Sequence, residues 1–253
     1  MKVTVIGCAG SYPGPDSPAS CYLVEAAYAG RTWRILLDLG NGALGMLHRF
    51  ADPLSIDAVF FSHLHADHCL DLCGYYVLRK YHPSGPQPRI PVWGPADTAA
   101  RMARAYDLPE DPGMTEEFDF RAYPDGGAVE IGPFRVEPVS VEHPVPAYSL
   151  RVHADGALLV YTGDSGVCDG VERAARGADL LLAEAAFCDG DENPEGIHLT
   201  GTDVGRMAAR AGVDRLVLTH IPAWNDPKIA YDEARAVWEG PLDLARVGAT
   251  YEL

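Results

Sequence analysis

The chain runs to 253 residues, 47% of them apolar, with 36 acidic against 20 basic side chains and a formal charge of −16. That length and composition suit a single domain over residues 1–253 with one well-buried interior. The charge argues against long nucleic acid, whose affinity comes mainly from Lys and Arg contacts to phosphate, and no apolar run reaches the roughly eighteen residues a membrane helix needs. Met1 and Lys2 lead straight into a strand-like run without a secretory pattern, so the expected location is cytoplasmic. The six scattered cysteines are expected as reduced thiols.

Apolar runs predict strands at residues 3–7, 21–25, 33–38 and 58–61, with Gly/Pro loops at 10–20 and 83–91. Helical spacing appears at 42–50, 67–81, 96–106, 202–211 and 230–238, and further strands at 134–141, 148–152, 157–161, 180–183 and 215–219. Strand-rich halves with interleaved helices, not strict alternation, predict an α/β (α+β) fold of two sheets covered by helices.

The run His63-Leu64-His65-Ala66-Asp67-His68 places imidazoles and a carboxylate directly after an apolar strand. These donors suit zinc and its first-row neighbours, and manganese or iron can take the same geometry. In an extended chain His63 and His65 point to one side and can grip one ion. Asp67 and His68 fall at a helix start, turned away from that pair, and can hold a second. Cys69 and Cys73, one helical turn apart, are assigned to the interior, because thiolate sites normally use C-x2-C pairs. Three later residues end predicted strands, where a rigid frame can aim them: His143, Asp164 and His220. Taken singly each is weak evidence, since a strand-end histidine is more often an ordinary hydrogen-bonded residue than a ligand and Thr162-Gly163-Asp164-Ser165 can be a plain turn.

In order, the histidine cluster, His143, Gly163-Asp164 and His220 resemble the motif series of the metallo-β-lactamase superfamily. The resemblance implies an αββα four-layer sandwich with two divalent ions, zinc first, in a cleft between sheet edges. It implies that His63, His65 and His143 hold one ion, Asp67, His68 and His220 the other, with Asp164 bridging and a hydroxide between them. Asp164 stands where true β-lactamases usually carry a cysteine, and His65 where redox di-iron relatives carry a glutamate. Antibiotic hydrolysis and electron transfer are therefore not expected. Only residues 221–253 follow His220, too few for the helical substrate domain of glyoxalase II relatives.

Gly7-Cys8-Ala9-Gly10-Ser11, Ser20, Glu184-Ala185-Ala186-Phe187 and His198-Leu199-Thr200 look like the phosphodiesterase branch that contains ribonuclease Z. Carried over, the catalytic set is Asp67, His198 as general acid for the leaving oxygen, and Glu184 as its orienter. The plain alternative for His198 is a residue beside the helix cap Thr200. Residues 144–163 are too few for the basic arm with which ribonuclease Z clamps tRNA. The runs 14–20, 62–72, 80–84 and 218–222 are similar to an actinobacterial group of atypical class II cyclic-nucleotide phosphodiesterases. That likeness implies hydrolysis of a 3′,5′-cyclic nucleotide, cyclic AMP first, to a nucleoside 5′-monophosphate. A ribonuclease Z-like endoribonuclease and a metal-binding protein without turnover are the alternatives. The implied partner is a small anionic phosphodiester; Tyr12, Arg79, Tyr81, His82 and Arg89 are candidate contacts for its base or phosphate, and the branch allows a homodimer.

Overall fold

Two seven-stranded sheets face each other in the computed structural model, which describes residues 1–253. The first sheet has the order Thr250–Glu252, Lys2–Gly7, Cys21–Tyr28, Arg31–Leu37, Ala58–Phe60, Ile90–Gly94, Phe118–Ala122. The second has Leu242–Leu244, Leu216–Thr219, Leu180–Glu184, Ala157–Tyr161, Ala147–Ala154, Phe134–Val141, Val129–Ile131. Each is part antiparallel and part parallel. The change falls where Arg31–Leu37 meets Ala58–Phe60 in one sheet and where Ala157–Tyr161 meets Leu180–Glu184 in the other.

The two-residue period of a strand builds the layers. Along Leu180–Glu184, Leu180 and Leu182 face the opposite sheet, whereas Leu181 and Ala183 face helices. In Cys21–Tyr28, Tyr22 and Val24 turn inward and Leu23 outward. Such strands read as continuous apolar runs because both faces are covered. Val5, Ile35 and Phe60 of one sheet pack with Leu150, Leu159 and Val217 of the other. Helices Leu72–Tyr81 and Thr98–Ala105 cover the first sheet; Asp169–Ala175, Gly201–Ala211 and Pro227–Arg235 cover the second. Each fully buried Val, Leu or Ile contributes about 1.5–3 kcal/mol, so the register that gives every central strand two apolar faces selects the αββα sandwich. No helix is long and apolar enough to cross a membrane.

The predicted helix at 67–81 is two helices, Ala66–Cys69 and Leu72–Tyr81. At the break, the Asp71 carboxylate accepts from Leu44 N at 2.8 Å and its own N–H donates to Leu39 O at 3.2 Å, which draws the chain out of helical register. The proline-rich loop ends sooner than expected, at the strand Ile90–Gly94. Pro91 lies ahead of the pairing with Ala58–Phe60, which begins at Val92, so its missing N–H leaves that ladder intact. The helix expected at 42–50 contracts to Ala43–Leu47, and the last one begins early, at Pro227, because Asp226 caps it through Lys228 N at 2.9 Å. Short strands such as Phe118–Ala122 and Leu242–Leu244, and the helix Asp169–Ala175, are additions that the apolar pattern does not reveal.

Candidate metal centre

The seven candidate metal donors all follow the carboxyl ends of strands. His63 and His65 leave Ala58–Phe60, with Asp67 and His68 in the short helix just beyond; His143 follows Phe134–Val141, Asp164 follows Ala157–Tyr161, and His220 follows Leu216–Thr219. Gly163 makes the turn before Asp164 at φ +60°, where an added Cβ would sit 2.7 Å from the Cβ of Ser62. Only glycine lets the two sheets approach so closely here.

Two groups of donors result, and Asp164 is in both. In the first, His63 Nε2 and His143 Nε2 lie 3.0 and 3.1 Å from His65 Nδ1, and Asp164 Oδ2 lies 3.6 Å from His63 Nε2. In the second, His220 Nε2 is 3.1 Å from both His68 Nε2 and Asp67 Oδ2, and Asp164 Oδ1 is 3.2 Å from His68 Nε2. The Asp164 carboxylate thus turns one oxygen to each group. Each group draws two residues from the first sheet's segment and two from the second sheet.

Hydrogen bonds fix the direction of the lone pairs. Ser62 Oγ donates to Asp38 Oδ2 at 2.7 Å, so at 3.0 Å it accepts from His63 Nδ1, leaving His63 Nε2 bare. His68 Nδ1 donates to Asp38 Oδ2 at 2.7 Å and His143 Nδ1 to Ile197 O at 3.0 Å, with the same consequence. Burial holds His63 well below the usual imidazole range, which keeps it a neutral donor. Asp38 and His220 occupy left-handed backbone at φ 57° and 54°, a strain of about 1–3 kcal/mol each that clusters where a site is preorganised.

The donors fit a pair of divalent ions. Ligands about 2.0–2.1 Å from one tetrahedral ion sit roughly 3.3 Å apart, and the spacings here run from 3.0 to 3.6 Å. The Nε2 lone pairs of His63, His68 and His143 converge on these spaces, as the ligands of a cation do. Asp164 Oδ1 is buried with no hydrogen-bond donor. Asp38, Asp67, Asp164 and Glu184 are all buried, and their ion-pair partners are histidines, never Lys or Arg. Buried carboxylates are tolerated when paired or on a metal, and two divalent ions held here would supply the missing positive charge.

Beside the cluster, His198 Nδ1 donates to Glu184 Oε1 at 2.9 Å and lies 4.0 Å from Asp164 Oδ2. Glu184 is held in turn by Ser165 N at 2.9 Å and Ala186 N at 3.2 Å. Burial pushes His198 down, but the Glu184 and Asp164 carboxylates push it up further, to about 9. Thr200 does cap the helix Gly201–Ala211, with Asp203 completing a capping box. The cap and the dyad are therefore compatible: the first fixes the backbone on which the second is mounted.

Other candidates lie apart. Arg79 is buried between Tyr75 and Pro88, Arg89 pairs with Asp119 at 3.4 Å, and His82 bonds Ser84 at 2.7 Å. Tyr81 ends the helix Leu72–Tyr81 in solvent, and Tyr12 stacks on Trp224. Cys69 is buried, its thiol donating to His65 O at 3.2 Å, and neither donor group contains a cysteine. The sequence reading missed Asp38, although a charged residue closing an apolar strand before Leu39-Gly40 was a visible signal.

A family model described as a beta-lactamase superfamily domain matches residues 33–221, and the chain belongs to that superfamily. With this fold and this cluster, it is a metal-dependent hydrolase of the metallo-β-lactamase type. Over 100% of its length it is 43% identical to the uncharacterized protein ML1173 of Mycobacterium leprae, covering 89% of that chain. It is 28% identical to the probable metallo-hydrolase YhfI of Bacillus subtilis, with 100% of both chains covered. The crystal structure of YhfI, described as a metallo-beta-lactamase fold protein, superposes with a TM-score of 0.88 at 27% identity over 100% of this chain and 99% of that one. A protein named ribonuclease Z, from Myxococcus xanthus, is 27% identical over 100% of this chain and 98% of its own.

Proposed function

We propose that the chain hydrolyses a small phosphodiester, a 3′,5′-cyclic nucleotide such as cyclic AMP, to the nucleoside 5′-monophosphate. The observation that carries this reading is the His198–Glu184 dyad, 2.9 Å across and set beside Asp164 at the edge of the donor cluster. Two divalent ions, zinc by the donor set, would be held by His63, His65, His143, Asp67, His68 and His220 with Asp164 shared; such a pair supplies Lewis acidity at phosphoryl oxygens and hydroxide at neutral pH.

The chain's own groups do the rest. Asp38, Ser62 and Ile197 O hold His68, His63 and His143 in the tautomer that offers Nε2. His198, kept protonated by Glu184, gives its Nε2 proton to the departing ribose oxygen, which stays attached to the sugar. General acid catalysis of this kind contributes about 10²- to 10⁴-fold. A small substrate is supported by residues 144–163, which are taken up by the Ala147–Ala154 and Ala157–Tyr161 strands and their turns, and by the charge of −16.

The test is His198→Ala assayed on two esters. Turnover of cyclic AMP, whose alkoxide leaving group needs a proton, is expected to fall about 10²- to 10⁴-fold. Turnover of bis(p-nitrophenyl) phosphate, whose leaving group departs unprotonated, is expected to change far less. Equal losses on both esters, or wild-type protein inert towards both, would overturn the proposal.

A further inference from the structure

Tyr12 and Trp224 form an exposed aromatic pair that no step above uses. Ala9–Gly10 and Ile221–Pro222 make a two-stranded parallel ladder with Gly10 opposite Pro222. Just past that pairing Ser11 takes a left-handed φ of 64°, and the Tyr12 and Trp224 rings meet with centroids 5.2 Å apart and planes at 31°. Gly10 makes this possible, since a Cβ there would lie 2.3 Å from His220 O. The aromatic pair is therefore mounted on the residue next to His220. Trp224 is 66% exposed and Tyr12 40%, so neither ring is there to fill the interior.

Trp224 forms one wall of a cavity of about 180 Å³ that also reaches His198, Phe187, Asp191, Asn193 and Asn225. The side-chain amide of Asn193 donates to Cys188 O at 2.8 Å, and that of Asn225 to Ala186 O at 3.1 Å. Each amide oxygen is left without a partner. Together with the Asp191 carboxylate, they make the wall rich in acceptors, with His198 its one cationic group. Such a wall suits a neutral planar ring that carries N–H groups.

We propose that this cavity is a nucleobase site, in which an amino-bearing base lies on Trp224, backed by Tyr12, with its N–H edge towards Asn193, Asn225 and Asp191. The position of the phosphate, at the donor cluster, rests on the phosphodiester reading; the base site itself stands on the cavity's own walls.

Calorimetric titration of the purified, metal-loaded protein tests it without turnover. Adenosine 5′-monophosphate is expected to bind about five- to hundredfold tighter than ribose 5-phosphate, the range that one base stacked on one aromatic ring gives. Trp224→Ala removes that preference while leaving ribose 5-phosphate affinity in place, and Trp224→Phe retains most of it. Cytidine 5′-monophosphate is expected to bind more tightly than uridine 5′-monophosphate, since only cytosine carries an amino group at that edge. A preference that survives Trp224→Ala, equal affinity for the adenine nucleotide and ribose 5-phosphate, equal affinity for the two pyrimidine nucleotides, or no binding of any of them overturns the site. If base preference is found but no phosphodiester is hydrolysed, the hydrolytic reading falls and the site stands; hydrolysis without base preference gives the reverse.

Discussion

Asp38 Oδ2 lies 2.7 Å from His68 Nδ1, and the same carboxylate takes hydrogen bonds from Ser62 N, Ser62 Oγ and Tyr161 OH, each at 2.7 Å. One buried anion thereby orients His68 directly and His63 through Ser62. Asp38→Asn keeps the volume but turns an N–H towards groups that are themselves donors. Metal affinity, read by competition with a chromophoric chelator, is expected to drop about 10- to 100-fold. Affinity equal to wild type would show that Asp38 serves packing alone.

Asp164 is the one residue shared by both donor groups. Asp164→Ala removes an oxygen from each and should lower bound metal, measured by elemental analysis, from two ions per chain to one or none, with loss of hydrolysis. Chelation of the wild-type protein should also lower its melting temperature, because ions that bind only the folded chain stabilise it by about 4 kcal/mol at a thousandfold excess over Kd. A variant that keeps two ions contradicts the bridging role.

The pH dependence follows from His198, raised to about 9 against the downward pull of burial by Glu184 and Asp164. In the proposed mechanism its protonated form is the acid, so activity is expected to persist below that value and to decline as pH climbs through it. Glu184→Gln removes the principal raising charge and should move the alkaline limb of kcat/KM to lower pH. Bound ions depress the value in both proteins, so the readout is the difference between the two profiles. Coincident limbs would separate Glu184 from the proton on His198.

Gly163→Ala tests the turn under Ser62. The left-handed backbone costs an L-residue about 1–2 kcal/mol, and a Cβ 2.7 Å from the Cβ of Ser62 adds a clash. Loss of stability in denaturant together with weakened metal binding is the expected pair of results, since Asp164 shifts with the turn. Reduced stability with unaltered metal affinity would place the strain elsewhere.

Much of this architecture was readable from residue order, and the failures have physical causes. The run from His63 to His68 is legible because its donors are contiguous and serve no packing purpose. Asp38 is visible as a charged residue closing an apolar strand, but its role is not legible, because its partners lie far along the chain, at Ser62, His68 and Tyr161, and only the closed fold brings them to it. The helix break at Asp71 depends on Leu44 and Leu39 in another segment. Ile90–Gly94 hides as a strand because Pro91 looks like a loop residue until its ladder partners are known. Trp224 carries no motif at all; its place is set by the short ladder between Pro222 and Gly10.

Because each ion would draw half its ligands from either side of the sandwich, a nascent or damaged chain in which one half has not docked offers any cation only a bidentate grip. Capture of the metals then acts as a rivet across the seam and as a checkpoint: hydrolytic power arises only in molecules whose two halves have already found each other.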